Sequence, residues 1–171
     1  MTEQDTNQAD VTRWDAEGFQ RKGLTPEGRY RFTLEGNYGL METQNGKPYI
    51  KAMFLADQEA HYNEDGTLAR TETLERPHRV FVKFWIGGKG DDFLVNWIRA
   101  TLGKAPEGVF NPVTERYEID KVAALNQTLG KSAWNTLTHR ESDYQGQKNW
   151  DENLSFNWYK KPAPRIRVET E

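Results

Sequence analysis

The sequence predicts a mainly β fold, namely a five-stranded antiparallel barrel with a helical insertion between the third and fourth strands. Three observations lead to this prediction. Apolar and polar residues alternate in several segments of the first half of the chain, as is typical of half-buried strands. The period then changes to that of a helix, and two more alternating segments follow. Aromatic residues, which favour strands, make up 12% of the 171 residues.

The first two predicted strands form a hairpin. Turn-forming residues 23–28 lead into the first strand, in which one face carries Tyr30, Phe32 and Leu34. The dipeptide Asn45-Gly46 is a strong signal for a tight hairpin turn. The returning strand covers residues 49–55. One of its faces carries Ile50, Ala52 and Phe54, and the other carries Tyr49, Lys51, Met53 and Leu55.

The third predicted strand follows a long exposed loop. Residues 57–77 are polar, with a turn at 64–66, and no strand is predicted among them. Residues 78–86 alternate again. A period of two buries one set of their side chains, which is Val80, Val82, Phe84 and Ile86. The opposite face carries Arg79, Phe81, Lys83 and Trp85.

The insertion is predicted to be helical. Apolar residues recur at helical intervals over residues 91–102, and Asp91 and Asp92 stand in the first turn, where acids complement the helix dipole. A second helical segment covers residues 119–129. Residues 108–117, between the two segments, show no periodicity and are expected to be irregular.

The last two strands are predicted over residues 132–139 and 154–160, with a polar loop, 140–150, between them. The aromatic residues of these strands that are predicted to lie in the core are Trp134, Phe156 and Trp158. Pro162 is expected to end the ordered fold.

The resulting order, β-β-β-α-(α)-β-β, matches the OB-fold, a five-stranded Greek-key barrel. A generic α+β domain with an antiparallel sheet is the alternative. The predicted barrel domain is residues 28–161. It is preceded by a mobile acidic N-terminal arm and lead-in, residues 1–27, and followed by a short C-terminal tail, residues 162–171. The arm carries the whole formal charge of −3, because its six acidic residues outnumber its three basic ones and the rest of the chain is neutral.

Composition excludes several classes of protein. The chain has no cysteine, so a thiol catalyst, a disulfide scaffold and a thiolate metal site are excluded. Its three histidines are too widely spaced for a zinc motif, and no glycine-rich phosphate loop is present. Apolar runs long enough for a membrane span or a secretory signal are missing, so a cytoplasmic protein without membrane contact is expected. We therefore expect neither catalysis nor a cofactor or metal.

The outward face of the third strand is the strongest candidate for a binding site. Phe81 and Trp85 alternate there with Lys83, and unpaired nucleic-acid bases stack on rings while lysines follow the phosphates. The alternative is that another part of the chain covers this face and turns the rings into a second core. The first two strands offer further candidates, which are Arg29, Arg31, Tyr49 and Lys51.

The polar loop near the C-terminus offers a second set of candidates, because the loop between strands four and five flanks the binding cleft of OB-folds. Its aromatic and basic residues are Arg140, Tyr144, Lys148 and Trp150. They suit a base-stacking clamp, or, alternatively, a hairpin whose aromatic side chains pack against one another.

The layout resembles that of phage-encoded single-stranded DNA-binding proteins and of related phage proteins found among replication and recombination genes. The residues that carry the resemblance are Gly28-Arg29-Tyr30-Arg31-Phe32, Leu102-Gly103-Lys104, Leu129-Gly130-Lys131 and the aromatic segment 153–159. The resemblance implies an OB-fold that binds single-stranded DNA without marked sequence preference. It also implies a non-catalytic role in replication or recombination, in the host cytoplasm, with partner proteins or further copies of the chain.

The C-terminal sequence departs from the pattern of this family, and a second interpretation of the chain is open. Many single-stranded DNA-binding proteins end in an acidic tail with a terminal aromatic residue, whereas this sequence ends Glu169-Thr170-Glu171. The runner-up interpretation is a non-catalytic protein-interaction domain on a similar barrel, with the acidic arm as its contact with a host or replication protein.

Overall fold

The computed structural model describes residues 15–144 and 146–162, without the side chains of Phe19, Tyr144 and Gln147. The helices are α1 (Ala16–Lys22), α2 (Gly88–Leu102) and α3 (Lys121–Asn126). The strands are β1 (Gly28–Glu42), β2 (Pro48–Tyr62), β3 (Leu68–Trp85), β4 (Val109–Asn111), β5 (Arg116–Glu118), β6 (Ser132–Tyr144) and β7 (Gln147–Leu154). The predicted mobility of residues 1–10 falls outside the described residues.

The five long strands form one antiparallel sheet in the order β3-β2-β1-β6-β7, which is nearly closed into a barrel. Helix α2 lies between β3 and β6 in the chain, as the sequence predicts. The mainly β, OB-like barrel with a helical insertion is therefore confirmed. Within the described residues, no helix combines the length and the apolar character needed to cross a membrane.

The core lies between the inner face of the sheet and helix α2. The alternation predicted for the first three strands is confirmed, because Tyr30, Phe54 and Phe84 are buried. The centre is aromatic: Trp97 of α2 and Trp158 lie with their ring centroids 4.8 Å apart, and both contact Phe54. Trp97 is also fixed in position, because its Nε1 donates a hydrogen bond to the Thr128 hydroxyl at 2.8 Å.

Strand β1 connects the two halves of the sheet. Its first part, Gly28–Thr33, pairs with β6 on one side and with β2 on the other. From Gly36 to Glu42 its pairing is with β2 alone. The β1–β2 pairing shifts register at three places, which bends the strands and increases their twist.

The prediction of a long loop over residues 57–77 is wrong. Most of it belongs to strands, since β2 continues to Tyr62 and β3 begins at Leu68. The predicted turn is correct, and Gly66 takes a φ of 89° there. The first half of β3 is mostly exposed, and backbone hydrogen bonds to β2 hold it as a strand. Because few of its side chains are buried, its sequence shows no alternation of apolar and polar residues.

The end of the predicted barrel also needs correction. The polar segment 140–150 is a hairpin formed by β6 and β7, and the segment 154–160 is not a strand. Its isolated β-bridge joins Tyr159 to Trp134, and Ser155 forms further hydrogen bonds to Thr136 and Asn135 of β6. Trp134 and Trp158 are buried as predicted, whereas Phe156 is exposed. Residues 108–117, expected to be irregular, include the short β4–β5 hairpin.

Candidate nucleic-acid interface

The outer face of β2 and β3 places lysines and aromatic rings side by side. Tyr49 lies opposite Trp85 in the register, Lys51 opposite Lys83, and Met53 opposite Phe81. Lysine and aromatic side chains of the preceding turn and of β1 extend the same surface. We term this surface the Lys–aromatic face, and its members are Tyr38, Lys47, Tyr49, Lys51, Phe81, Lys83 and Trp85.

Strand alternation produces this face. The side chains between its members, such as Ala52 and Val82, point into the core and are buried, so the members point away from it. Phe81 is 57% exposed, and Tyr49 and Trp85 are half-buried. Helix α2 contacts β3 from the inner side, where the rings of Phe93 and Phe84 lie 5.2 Å apart. The helical insertion therefore packs on the inner side of the sheet and does not cover the rings of Phe81 and Trp85.

Each lysine of the face lies over a ring. Lys47 Nζ is 4.4 Å from the Trp85 ring centroid, and Lys83 Nζ is 5.0 Å from that of Tyr49. Lys51 Nζ lies 5.2 Å from the Phe81 ring and 5.6 Å from the Tyr38 ring. The rings of Tyr49 and Trp85 contact each other at 5.2 Å. Cations and ring faces thus alternate along the two strands.

The lysines of the face lack acidic partners. In residues 15–144 and 146–162, Lys47, Lys51 and Lys83 form no salt bridge. Lys51 and Lys83 are directly opposite across the strand pair, an arrangement in which like charges destabilise a sheet. The face therefore holds a concentration of positive charge that no salt bridge among the described residues neutralises, although the formal charge of the chain is −3.

A close backbone contact fixes Trp85 at the edge of the face. Helix α2 starts three residues after Trp85, and Gly90 in its first turn lies against the Trp85 carbonyl. A Cβ at Gly90 would be 2.1 Å from that carbonyl oxygen, so only glycine fits there. Asp91 stabilises the same helix start, because its carboxylate accepts hydrogen bonds from Lys121 Nζ at 2.8 Å and from the Gly87 N–H. These contacts lower the pKa of Asp91, the Lys121 bond having the larger effect.

The remaining predicted site residues lie away from this face or are engaged elsewhere. Arg31 forms a salt bridge with Asp57 at 2.8 Å, and Arg29 lies over the Tyr62 ring at 5.1 Å. Both lie toward the start of β1.

The second predicted set belongs to the β6–β7 hairpin, at the other edge of the sheet. Lys148 is paired with Glu141 at 3.4 Å, and the Trp150 ring is covered by Arg21 of α1 at 4.6 Å. Arg140 is exposed on β6. The side chain of Tyr144 is outside the described residues. The sequence thus predicted five members of the Lys–aromatic face and missed two, Tyr38 and Lys47, whose only signal is their closeness to the hairpin turn.

One group of side chains has the composition of a metal site. Potential ligand atoms of Glu59, His61 and Glu72 lie within 4.8 Å of one another at the far end of β2 and β3. His61 Nε2 is 2.8 Å from the Glu72 carboxylate, and Arg70 lies 3.7 Å from it. The nearby guanidinium neutralises Glu72, so we interpret this group as an exposed ion-pair network.

No model of a known protein family matches the chain, and a search of curated proteins finds no significant match.

Proposed function

We propose that this protein binds single-stranded DNA without sequence preference on the Lys–aromatic face. The observation that carries the proposal is the pair Lys51 and Lys83, which lie opposite each other without salt-bridge partners among the described residues and over the rings of Phe81 and Tyr49. Two facing cations cost stability unless an anion joins them, and a phosphate backbone supplies regularly spaced anions.

The rings supply the second half of the interaction. The lysine side chains leave the ring faces to reach the phosphates, and bases of an unpaired strand stack on Phe81, Trp85 and Tyr49 in their place, at a typical gain of about 1–3 kcal/mol per base. Stacking uses the face that every base has in common, which explains the lack of sequence preference. The lysines between the rings neutralise the phosphates between the bases. A duplex hides its base faces, so single strands are preferred.

The affinity depends on local rather than overall charge. Release of counterions by Lys47, Lys51 and Lys83 gives log K against log salt a slope of about −2 for a single strand. The overall charge of −3 adds no long-range attraction for DNA. The proposal extends to a non-catalytic role in phage DNA replication or recombination, with proteins of those processes as partners, and the resemblance in sequence layout supports this extension.

Tryptophan fluorescence tests the proposal, because Trp85 lies in the face. Titration with oligothymidine at two salt concentrations is expected to quench emission, with weaker binding at the higher salt. Trp85→Phe keeps a ring for stacking, so it should lose most of the quenching and still bind a labelled oligonucleotide. No binding of the labelled oligonucleotide at high micromolar protein would contradict DNA binding and favour the protein-interaction domain.

A further inference from the structure

The short hairpin β4–β5 exposes an unusual amount of apolar surface. Five of the large apolar side chains that are exposed in the described residues fall within residues 109–119. They are Val109, Phe110, Val113, Tyr117 and Ile119. Val113 is 89% exposed and Tyr117 is 77% exposed, while the rings of Phe110 and Tyr117 contact each other at 5.4 Å. Apolar patches rarely stay exposed on a monomer, so this one indicates a binding surface.

An apolar groove lies at the base of this hairpin. It has a volume of about 370 Å³ and is formed by one side of α2 together with the residues that flank the hairpin. Leu94, Val95 and Ile98 form its floor. Pro106 and Ile119, on either side of the hairpin, both line it. The hairpin thus rises from the rim of the groove.

The two features are complementary in charge. The groove contains Arg99 and Lys104, which form no salt bridge within the described part of the chain, whereas its other cation, Lys121, is paired with Asp91. The segment 107–118 carries three acids, Glu107, Glu115 and Glu118, against one base, Arg116. An aromatic, acidic hairpin therefore adjoins an apolar, basic groove.

We infer that two copies of the chain associate by exchanging these hairpins, each seated in the groove of the other copy. A hairpin and a groove that are adjacent on one surface meet their counterparts twice when a two-fold axis relates the copies. The exchange buries Phe110 and Tyr117 against Leu94 and Val95 and brings the acids of one copy to the cations of the other. We expect this dimer to be in equilibrium with monomer, so that its population depends on protein concentration.

A complementation experiment on the full chain tests this arrangement. Val113→Asp disables the hairpin, and Val95→Asp, at a position 39% exposed on α2, disables the groove. Sedimentation across a hundredfold range of concentration is expected to show a monomer–dimer equilibrium for the native chain and monomers for each variant. A mixture of the two variants should regain dimers, because one of the two hairpin–groove contacts is then intact.

Leu68→Asp is the matched control, since Leu68 is also exposed, at 40%, but lies on β3 away from the hairpin and groove. It should dimerise like the native chain, and all variants should keep the native melting temperature at concentrations low enough for the native chain to be monomeric. Purely monomeric native protein at every concentration would overturn the inference. Dimers that persist in both Val113→Asp and Val95→Asp would also overturn it. A mixture of the two variants that stays monomeric would overturn it as well, since that result indicates contact between hairpins rather than between hairpin and groove. None of these outcomes depends on DNA binding.

Discussion

Lys51 and Lys83 face each other across the β2–β3 pair, and each extends over an aromatic ring of the neighbouring strand. Ring faces attract the two cations, which offsets part of the repulsion between them. The pair therefore provides concentrated positive charge at a modest cost in stability, and this property makes it the most informative site for substitution.

We expect Lys51→Gln and Lys83→Gln each to weaken binding of oligothymidine and to reduce the steepness of log K against log salt by about 0.7. The free energy of unfolding should stay within about 0.5 kcal/mol of the native value, because relief of repulsion offsets the lost ring contact. Titrations at several salt concentrations and urea unfolding measure the two effects. Lys131→Gln makes the same charge change off the face and should leave the slope unaltered. An equal reduction for all three variants would show that only net charge matters.

Replacing Phe81 separates stacking from folding. Phe81→Ala is expected to weaken binding by about 1–3 kcal/mol through loss of stacking, with little change in the salt slope. Its stability should change little, because the ring is 57% exposed. Phe84→Ala, three residues along the strand, removes a fully buried ring and should cost about 3–5 kcal/mol of stability. Trp85→Ala should behave like Phe81→Ala. A Trp85→Ala protein that has lost most of its stability would show that this ring belongs to the core.

Gly90→Ala should destabilise the protein by about 1–3 kcal/mol, since the new Cβ would overlap the Trp85 carbonyl, 2.1 Å away. Moving that carbonyl also displaces Trp85, so oligothymidine affinity should fall with stability. Thermal unfolding and a DNA titration measure both. Gly23→Ala is the control, because its Cβ would find its nearest atom at 3.9 Å and Gly23 has a φ of −80°. Equal melting temperatures for the two variants would rule out the steric explanation.

Alkaline pH should destabilise the fold through Tyr30. Burial, with a smaller contribution from Glu59 and Glu152, raises the pKa of Tyr30 from 10.0 to about 12. Between these values the folded chain holds a proton that the unfolded chain releases, so stability is complete below pH 10 and falls as pH rises toward 12. The loss is on the order of 2 kcal/mol.

Tyr30→Phe tests this origin. At neutral pH the variant loses about 1 kcal/mol with the hydrogen bond from the Tyr30 hydroxyl to the Pro26 carbonyl, which spans 2.7 Å. Urea unfolding at a series of pH values should then show a smaller alkaline decline than in the native protein. Identical declines would assign the effect to other groups.

The sequence predicted the strands that bury one face and misjudged those that do not. Residues 30–34, 49–55 and 78–86 alternate because the core selects every second side chain. The hairpin arms at 57–77 and 147–154 lack alternately buried side chains among the described residues, so hydrogen bonding between neighbours rather than composition makes them strands. The alternation at 154–160 has a different origin, because Trp158 enters the core from an irregular segment whose backbone bonds to β6 only around Ser155 and Tyr159 among the described residues.

Prediction of the candidate site depended on the same physics. The members of the Lys–aromatic face on β2 and β3 could be predicted from the sequence because they occupy the positions between core residues. The neutralisation of Arg31 by Asp57, 26 residues away, depends on a register that composition does not reveal. Lys47 likewise reaches Trp85 only because the hairpin turn returns the chain beside the end of β3.

The unequal pairing of β1 has a consequence for motion. Residues 28–33 pair with strands on both sides, whereas residues 36–42 pair, among the described strands, with β2 alone and are joined to α3 through the Asn37 side chain. In the part of the sheet that carries Lys51 and Tyr49, the inward side chains of β2 and β3, such as Ile50 and Phe84, are buried in the core. The singly paired edge is therefore limited to residues 36–42 of β1, and we expect their amide hydrogens to exchange faster than those of residues 28–33. Adjustment to a bound strand is thus expected at Tyr38, on this edge, while the members of the face on β2 and β3 keep their places.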